Sequence, residues 1–129
     1  MSDARAALIE AFSQAWNDKD VDAAMDLMSE DCEFRASVGP EPGTAFVGRD
    51  EVRRGFALFL APSDAPEPET ELAPLLVHED FAVTRWTSRW PQPDGTAVEV
   101  RACDVFQFAG DRIRSKDTYR KVAGPPPAG

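Results

Sequence analysis

Apolar residues along the first sixty positions recur with the period of helices. Leu8, Phe12, Ala15 and Trp16 fall at spacings of three and four, which predicts an amphipathic helix from about Asp3 to Asn17. A second, shorter helix follows at once. Asp20 suits its N-cap, Asp22 suits the positive end of its dipole, and Val21, Ala24, Met25 and Met28 make its apolar face. Ser29-Glu30-Asp31 is expected to end it. A third helix is expected from about Gly48, with Glu51 placed to cap it and Val52, Phe56, Phe59 and Leu60 as its stripe.

Elsewhere the period changes to two. Cys32, Phe34 and Ala36 alternate with Glu33, Arg35 and Ser37, which predicts a half-buried strand over Cys32 to Val38. Gly39 to Gly43 reads as a loop, and so does the proline-rich, acidic stretch from Ala61 to Thr70. The rest reads as strands: Glu71–Val77, Phe81–Trp90, Thr96–Phe108 and Ile113–Val122. Pro74 marks an edge or a bulge in the first of these. Helices followed by a strand meander predict an α+β domain with helices on one face of an antiparallel sheet. One domain over residues 1–123 is expected, with a disordered Pro/Gly tail at 124–129.

Parity separates the faces. Val98, Val100, Ala102, Asp104, Phe106 and Phe108 share one face, and all but Asp104 are apolar, so this face should meet the helices. A three-residue turn between Ala109 and Ile113 would set Asp104 opposite Thr118, Phe106 opposite Lys116 and Ala102 opposite Arg120. Lys116, Thr118 and Arg120 would then join Asp104 inside, whereas a bulge in the turn would swap the assignment. Ala82, Thr84, Trp86, Ser88 and Trp90 should face in as well. Trp86, Phe106 and Phe34 are expected to be buried between sheet and helices. Phe81, Val83, Val105, Ile113 and Tyr119 should point outward, an apolar patch that favours a homodimer through that face.

Composition narrows the classes of function. The chain is 43% hydrophobic, with eight Phe and three Trp, which suffices for a real core. A net charge of −9 disfavours nucleic acid and anionic membrane surfaces as partners. No apolar run spans a bilayer and no signal-peptide pattern opens the chain, so a cytoplasmic setting is expected. Cys32 and Cys103 form no CxxC, which argues against a disulfide framework or a zinc site; no metal and no cofactor are expected. His78, the single histidine, falls in a turn beside Glu79 and Asp80, as a solvated residue would.

Several segments in order resemble the nuclear transport factor 2-like superfamily, in its ketosteroid isomerase-like and SnoaL-like (polyketide cyclase-like) branch. They are Asn17-Asp18-Lys19-Asp20-Val21-Asp22-Ala23, Ser29-Glu30-Asp31-Cys32, Val47-Gly48-Arg49-Asp50-Glu51-Val52-Arg53, and Asp104-Val105-Phe106-Gln107-Phe108 with Gly110-Asp111-Arg112-Ile113. The resemblance implies a cone-shaped, curved antiparallel sheet wrapped by three helices, enclosing a pocket for a small, hydrophobic molecule, and commonly a dimer. It implies a catalytic carboxylate at Asp104. The family's general base falls at or next to Ala36 and its oxyanion-binding tyrosine at Phe12, and neither residue can do that chemistry. Epoxide hydrolases of the superfamily need an Asp–Arg–Asp set; Asp104, Arg120 and Asp117 could imitate it only if Asp117 pointed inward.

The candidate site is therefore Asp104 as acid/base, with Lys116, Thr118 and Arg120 to bind a polar or anionic group and Phe12, Trp16, Phe34, Phe56 and Trp86 as walls. A carboxyl in an apolar cavity is either kept neutral by desolvation or paired with Lys116 or Arg120. The expected function is cofactor-independent isomerase, cyclase or dehydratase chemistry on a hydrophobic carbonyl compound. The alternative is a non-catalytic ligand-binding or association domain of the same fold.

Overall fold

A computed structural model describes residues 2–121, so the expected tail at 124–129 lies outside the described residues. The elements run α1 (Ser2–Asn17), α2 (Val21–Asp26), β1 (Met28–Arg35), β2 (Ala45–Val47), α3 (Arg49–Phe59), β3 (Glu69–Leu72), β4 (Leu76–Val77), β5 (Phe81–Pro91), β6 (Ala97–Ala109) and β7 (Arg112–Arg120). The strands form one curved, unclosed sheet in the order β2-β1-β7-β6-β5-β3, with β4 also on β5. The α+β cone is thus present.

The helix ends follow local chemistry. Asp20 caps α2 by accepting from the Ala23 N–H at 3.0 Å, and Glu51 accepts from the Val47 N–H at 3.0 Å ahead of α3. Gly55 lets α3 press onto β2, because a Cβ there would sit 2.8 Å from the Phe46 ring. The Arg49 guanidinium donates to the carbonyls of Met25 (3.2 Å) and Met28 (2.9 Å), tying the start of α3 to the end of α2.

Five sequence expectations need correction. Strand β1 begins at Met28, so Ser29-Glu30-Asp31 belongs to it rather than ending a helix. Strand β2 was not expected. The segment Glu71–Val77 is two short strands split around Pro74, whose ring cannot supply a ladder hydrogen bond. The sheet is not wholly antiparallel, since β1 and β7 run parallel, with Phe34 beside Lys116. Ile113 is fully buried rather than outward.

The last correction shows how the register is set. The turn after β6 is two residues long, with Ala109 opposite Arg112 and Phe108 opposite Ile113, and a bulge follows at once. A shorter turn and one extra residue cancel. Beyond the bulge Phe106 faces Lys116, Asp104 faces Thr118 and Ala102 faces Arg120, as the sequence implied. Only Ile113, on the turn side of the bulge, changes face.

The core gathers Ile9, Phe12, Met25, Met28, Phe34, Val52, Phe56, Phe106 and Ile113 between helices and sheet. Phe59, expected in the stripe of α3, is half in water, although its ring meets Phe34 edge-on at 5.2 Å.

Candidate functional site

The inner face of β5, β6 and β7 is best described as successive cross-strand rungs. Ala82, Phe106 and Lys116 make the first, and all three are buried. Thr84, Asp104 and Thr118 make the second, with Asp104 buried and the two threonines half-buried. Leu72, Trp86, Ala102 and Arg120 make the third, in which Trp86 and Ala102 are half-buried and the ends exposed. Farther out, Val98 opposite Trp90 is 48% exposed. The helices cover one end of this face and leave the other open, and Asp104 stands at the boundary.

Asp104 (6% exposed) and Lys116 (4%) form a buried ion pair, Nζ to Oδ1, 3.0 Å. The ammonium also donates to Thr118 Oγ1 at 2.9 Å, and that hydroxyl donates to the same Asp104 Oδ1. Nζ lies 4.4 Å from the Trp16 ring centroid and 4.9 Å from that of Phe34. Two π-faces and one carboxylate thus replace the water lost by a buried cation. Of the two arrangements open to Asp104, the structure has the paired one, and the partner is Lys116 rather than Arg120.

The two carboxylate oxygens differ. Both donors act on Oδ1, and no described residue donates to Oδ2. Oδ2 is also not sealed, because the described residues contain no buried side-chain oxygen without a partner. One oxygen is clamped, and the other has no donor among the described residues. Chemically, Oδ2 is the oxygen of this group left to take or return a proton, and the Lys116 ammonium would then face the negative charge that develops on the other reactant.

The other expected site residues divide. Trp16 and Phe34 touch Lys116 directly. Phe12 and Phe56 are closed into the core (2% and 0% exposed), against each other and against Trp16 and Phe34, so they support the site from behind and wall no opening. Trp86 is half-buried rather than enclosed, because its rung lies beyond helix cover. Arg120 shares the inner face by register but is exposed and holds no acid within 4.0 Å among the described residues. Asp117 lies on the outer face, accepting from Tyr119 Oη at 3.0 Å, so no Asp–Arg–Asp set forms. Thr84, across from Asp104, was expected to face inward but not to belong to the site; the β5–β6 register was the signal that could have found it. His78 is exposed in its turn, stacked on Phe81.

A broad, open depression of about 850 Å³ takes in all four residues of the third rung, Leu72, Trp86, Ala102 and Arg120, together with Glu71, Arg85, Arg89, Arg101, Cys103 and Tyr119. By register the last six belong to the outer face. Asp104 and Lys116 do not line it, and Arg89 and Arg101 are both tied to Glu99, at 2.8 and 3.0 Å. Burial pushes the Cys103 thiol up, and Asp104 and Asp117 add to the rise, so it is a poor nucleophile near neutral pH. The depression therefore reaches the rung beside Asp104 without touching the ion pair, and we place the site at Asp104, where the chemistry is. Among the described residues no three His, Cys, Asp or Glu side chains stand close enough to hold a metal, and no helix is long and apolar enough to cross a membrane.

Residues 9–116 match the SnoaL-like domain. The chain belongs to the SnoaL-like family. No curated protein matches it. Solved structures similar to this SnoaL-like chain include a nuclear transport factor 2-like protein of unknown function from Mesorhizobium loti, at 24% identity and TM-score 0.74, covering 94% of this chain and 93% of that one. Another is SalBIII, an epoxide hydrolase/cyclase-like enzyme in pyran ring formation of the polyether salinomycin, at 20% identity, TM-score 0.68 and coverages of 91% and 90%. A third is a proposed ketosteroid isomerase from Kribbella flavida, at 14% identity, TM-score 0.71 and coverages of 99% and 85%. At these identities the likeness establishes the cone fold of the SnoaL-like chain.

Proposed function

We propose that this SnoaL-like chain receives a small hydrophobic carbonyl compound at the open side of Asp104 and acts on it by cofactor-independent proton transfer, as an isomerase, cyclase or dehydratase. The observation that carries the reading is the free Oδ2 of a carboxylate otherwise clamped by Lys116 and Thr118. Oδ2 takes a proton from the carbon next to the carbonyl; the C–H pair moves into the enolate, and the Lys116 ammonium, no longer facing a carboxylate charge, faces the enolate charge instead. Returning the proton to another carbon completes an isomerisation, and loss of a leaving group completes a dehydration. The neighbouring enzymes' names lend support at the level of the family only.

The test is hydrogen exchange. In deuterated water, α-tetralone and related ketones should exchange their α-protons with the wild type and not with Asp104→Asn, followed by NMR. A second reading, a ligand-holding or association domain, is favoured by Ala36 and Phe12 at the positions where the resembling isomerases carry a base and a donor. Binding of the ketones without exchange would decide for it.

The same reading includes a cytoplasmic homodimer. Leu76, Phe81 and Tyr119 are half-exposed on the outer face beside Val83 and Val105, and alternating Arg85, Arg101 and Glu99 offer a second copy both signs of charge. Sedimentation showing only monomer at micromolar concentration rules it out.

A further inference from the structure

The third rung has a property the proton-transfer reading does not use. Most of the chain's arginines are already engaged. Arg35, Arg53, Arg89, Arg101, Arg112 and Arg114 each hold an acid, and Arg49 and Arg85 donate to carbonyls. Arg54 and Arg120 do neither among the described residues, and of the two only Arg120 falls on the sheet. Arg120 lies opposite Ala102 and two residues beyond Thr118, whose hydroxyl bonds Asp104, so the β6–β7 register puts it on the inner face. Successive rungs on one face are about 7 Å apart along a strand, so the Arg120 backbone lies about that far along β7 from Thr118, opposite Asp104. Between the two arms stand Ala102, whose small side chain leaves room, and the half-buried Trp86. Across the rung from Trp86, in a chain of net charge −9, a guanidinium with no acid among the described residues is a candidate anion-binding element.

Resting on the pocket reading above, we infer that the ligand is an amphiphilic organic acid. Its flat apolar body lies over Ala102 against Trp86, its carboxylate pairs with Arg120, and its opposite end brings a hydroxyl or an acidic C–H to Asp104 Oδ2. The guanidinium fixes which end enters first, since a carboxylate turned inward would meet the Asp104 carboxylate. Arg120 is thus the specificity-determining residue of the mouth, and neutral analogues bind without a preferred direction.

The experiment compares three probes by calorimetry and by the NMR signal of the Trp86 indole: a hydroxynaphthoate with its two groups at opposite ends, the corresponding hydroxynaphthamide, and naphthoate lacking the hydroxyl. The hydroxy acid should bind about fivefold more tightly than its amide, the scale of one partly solvated charge-assisted pair. Arg120→Met should abolish that preference while leaving the amide's affinity unchanged, and Arg120→Lys should restore part of it. The hydroxy acid should also bind better than naphthoate. Because Arg120 is exposed, neither variant threatens folding, and thermal melts check this. Equal binding of acid and amide, unaltered by Arg120→Met, means a solvated strand-end arginine only; it overturns this inference and leaves the proton-transfer reading standing. Failure of all three to bind at millimolar concentration also overturns it, and the ketone exchange test then judges the proton-transfer reading separately.

Discussion

The two ends of the inner sheet face carry the same alternating pattern and meet different fates. At the helix-covered end Ala82, Phe106, Phe34 and even Lys116 are sealed; at the other end Trp86, Trp90, Val98 and Val100 stay half-buried or exposed. Strand parity chooses the side of the sheet, and α1 and α3 seal the large side chains at the covered end; beyond it, among the described inner-face residues, Ser88 alone is buried, bonded to Thr70 on β3. Core and site are therefore consecutive stretches of one surface, and chemistry is available only where cover stops, at Asp104.

The sharpest way to break this contrast is truncation on either side of the boundary. Phe56→Ala removes a fully buried ring packed on Phe12, Trp16 and Phe34, and should cost about 4 kcal/mol in urea melts. Val98→Ala should cost less than about 0.5 kcal/mol. Similar losses at the two sites would mean that the open end is covered in solution.

A smaller effect probes the boundary itself. Lys116→Met leaves the Asp104 carboxylate buried without its cation, and should destabilise by about 3 kcal/mol. Adding Asp104→Leu should recover most of that, because a paired charge in this setting roughly balances its own desolvation. A double variant no better than the single one would show that the ion pair, rather than packing, holds the boundary.

The smallest effect lies in the exposed charges. The hydrogen bond from Arg89 holds the Glu99 carboxyl below the usual range, and that from Ser29 does the same for Asp31. Both groups bind fewer protons folded than unfolded in the acid range, so their stabilisation is complete above the unfolded value and is lost as pH falls through the folded one. Glu99→Gln should therefore melt slightly lower than wild type at neutral pH, and the gap should narrow as the pH falls below the ordinary glutamate value of about 4.3 and close once it passes the folded one. A gap that persists at low pH would assign the effect to packing.

Much of this was legible in the sequence for local reasons. Helix stripes and the caps at Asp20 and Glu51 follow from spacing, whereas the pairing of Asp104 with Thr118 came out right because a shorter turn and a bulge cancel. The missed features depend on distant segments. Nothing near Phe34 announces a parallel partner at Lys116, and nothing in Trp86 reveals that helix cover ends one rung earlier. Arg120 was placed inside because parity gives a face and not a depth. Ile113 was placed outside because two compensating irregularities, a short turn and a bulge, leave no trace in the hydrophobic pattern.

The parallel ladder between β1 and β7 also orders events at the ribosome. Strand β7 sits between β1 and β6, so the early β1–β2 pair joins the β6–β5 side only through it. Until the codons for residues 112–120 are translated, Phe34 lacks its neighbour across the sheet and the Trp16 ring lacks its cation. Closing so long a loop is entropically slow compared with forming helices or the β5–β6 hairpin. The nascent chain therefore carries an exposed aromatic surface until β7 emerges, and that strand is the one that locks both halves together.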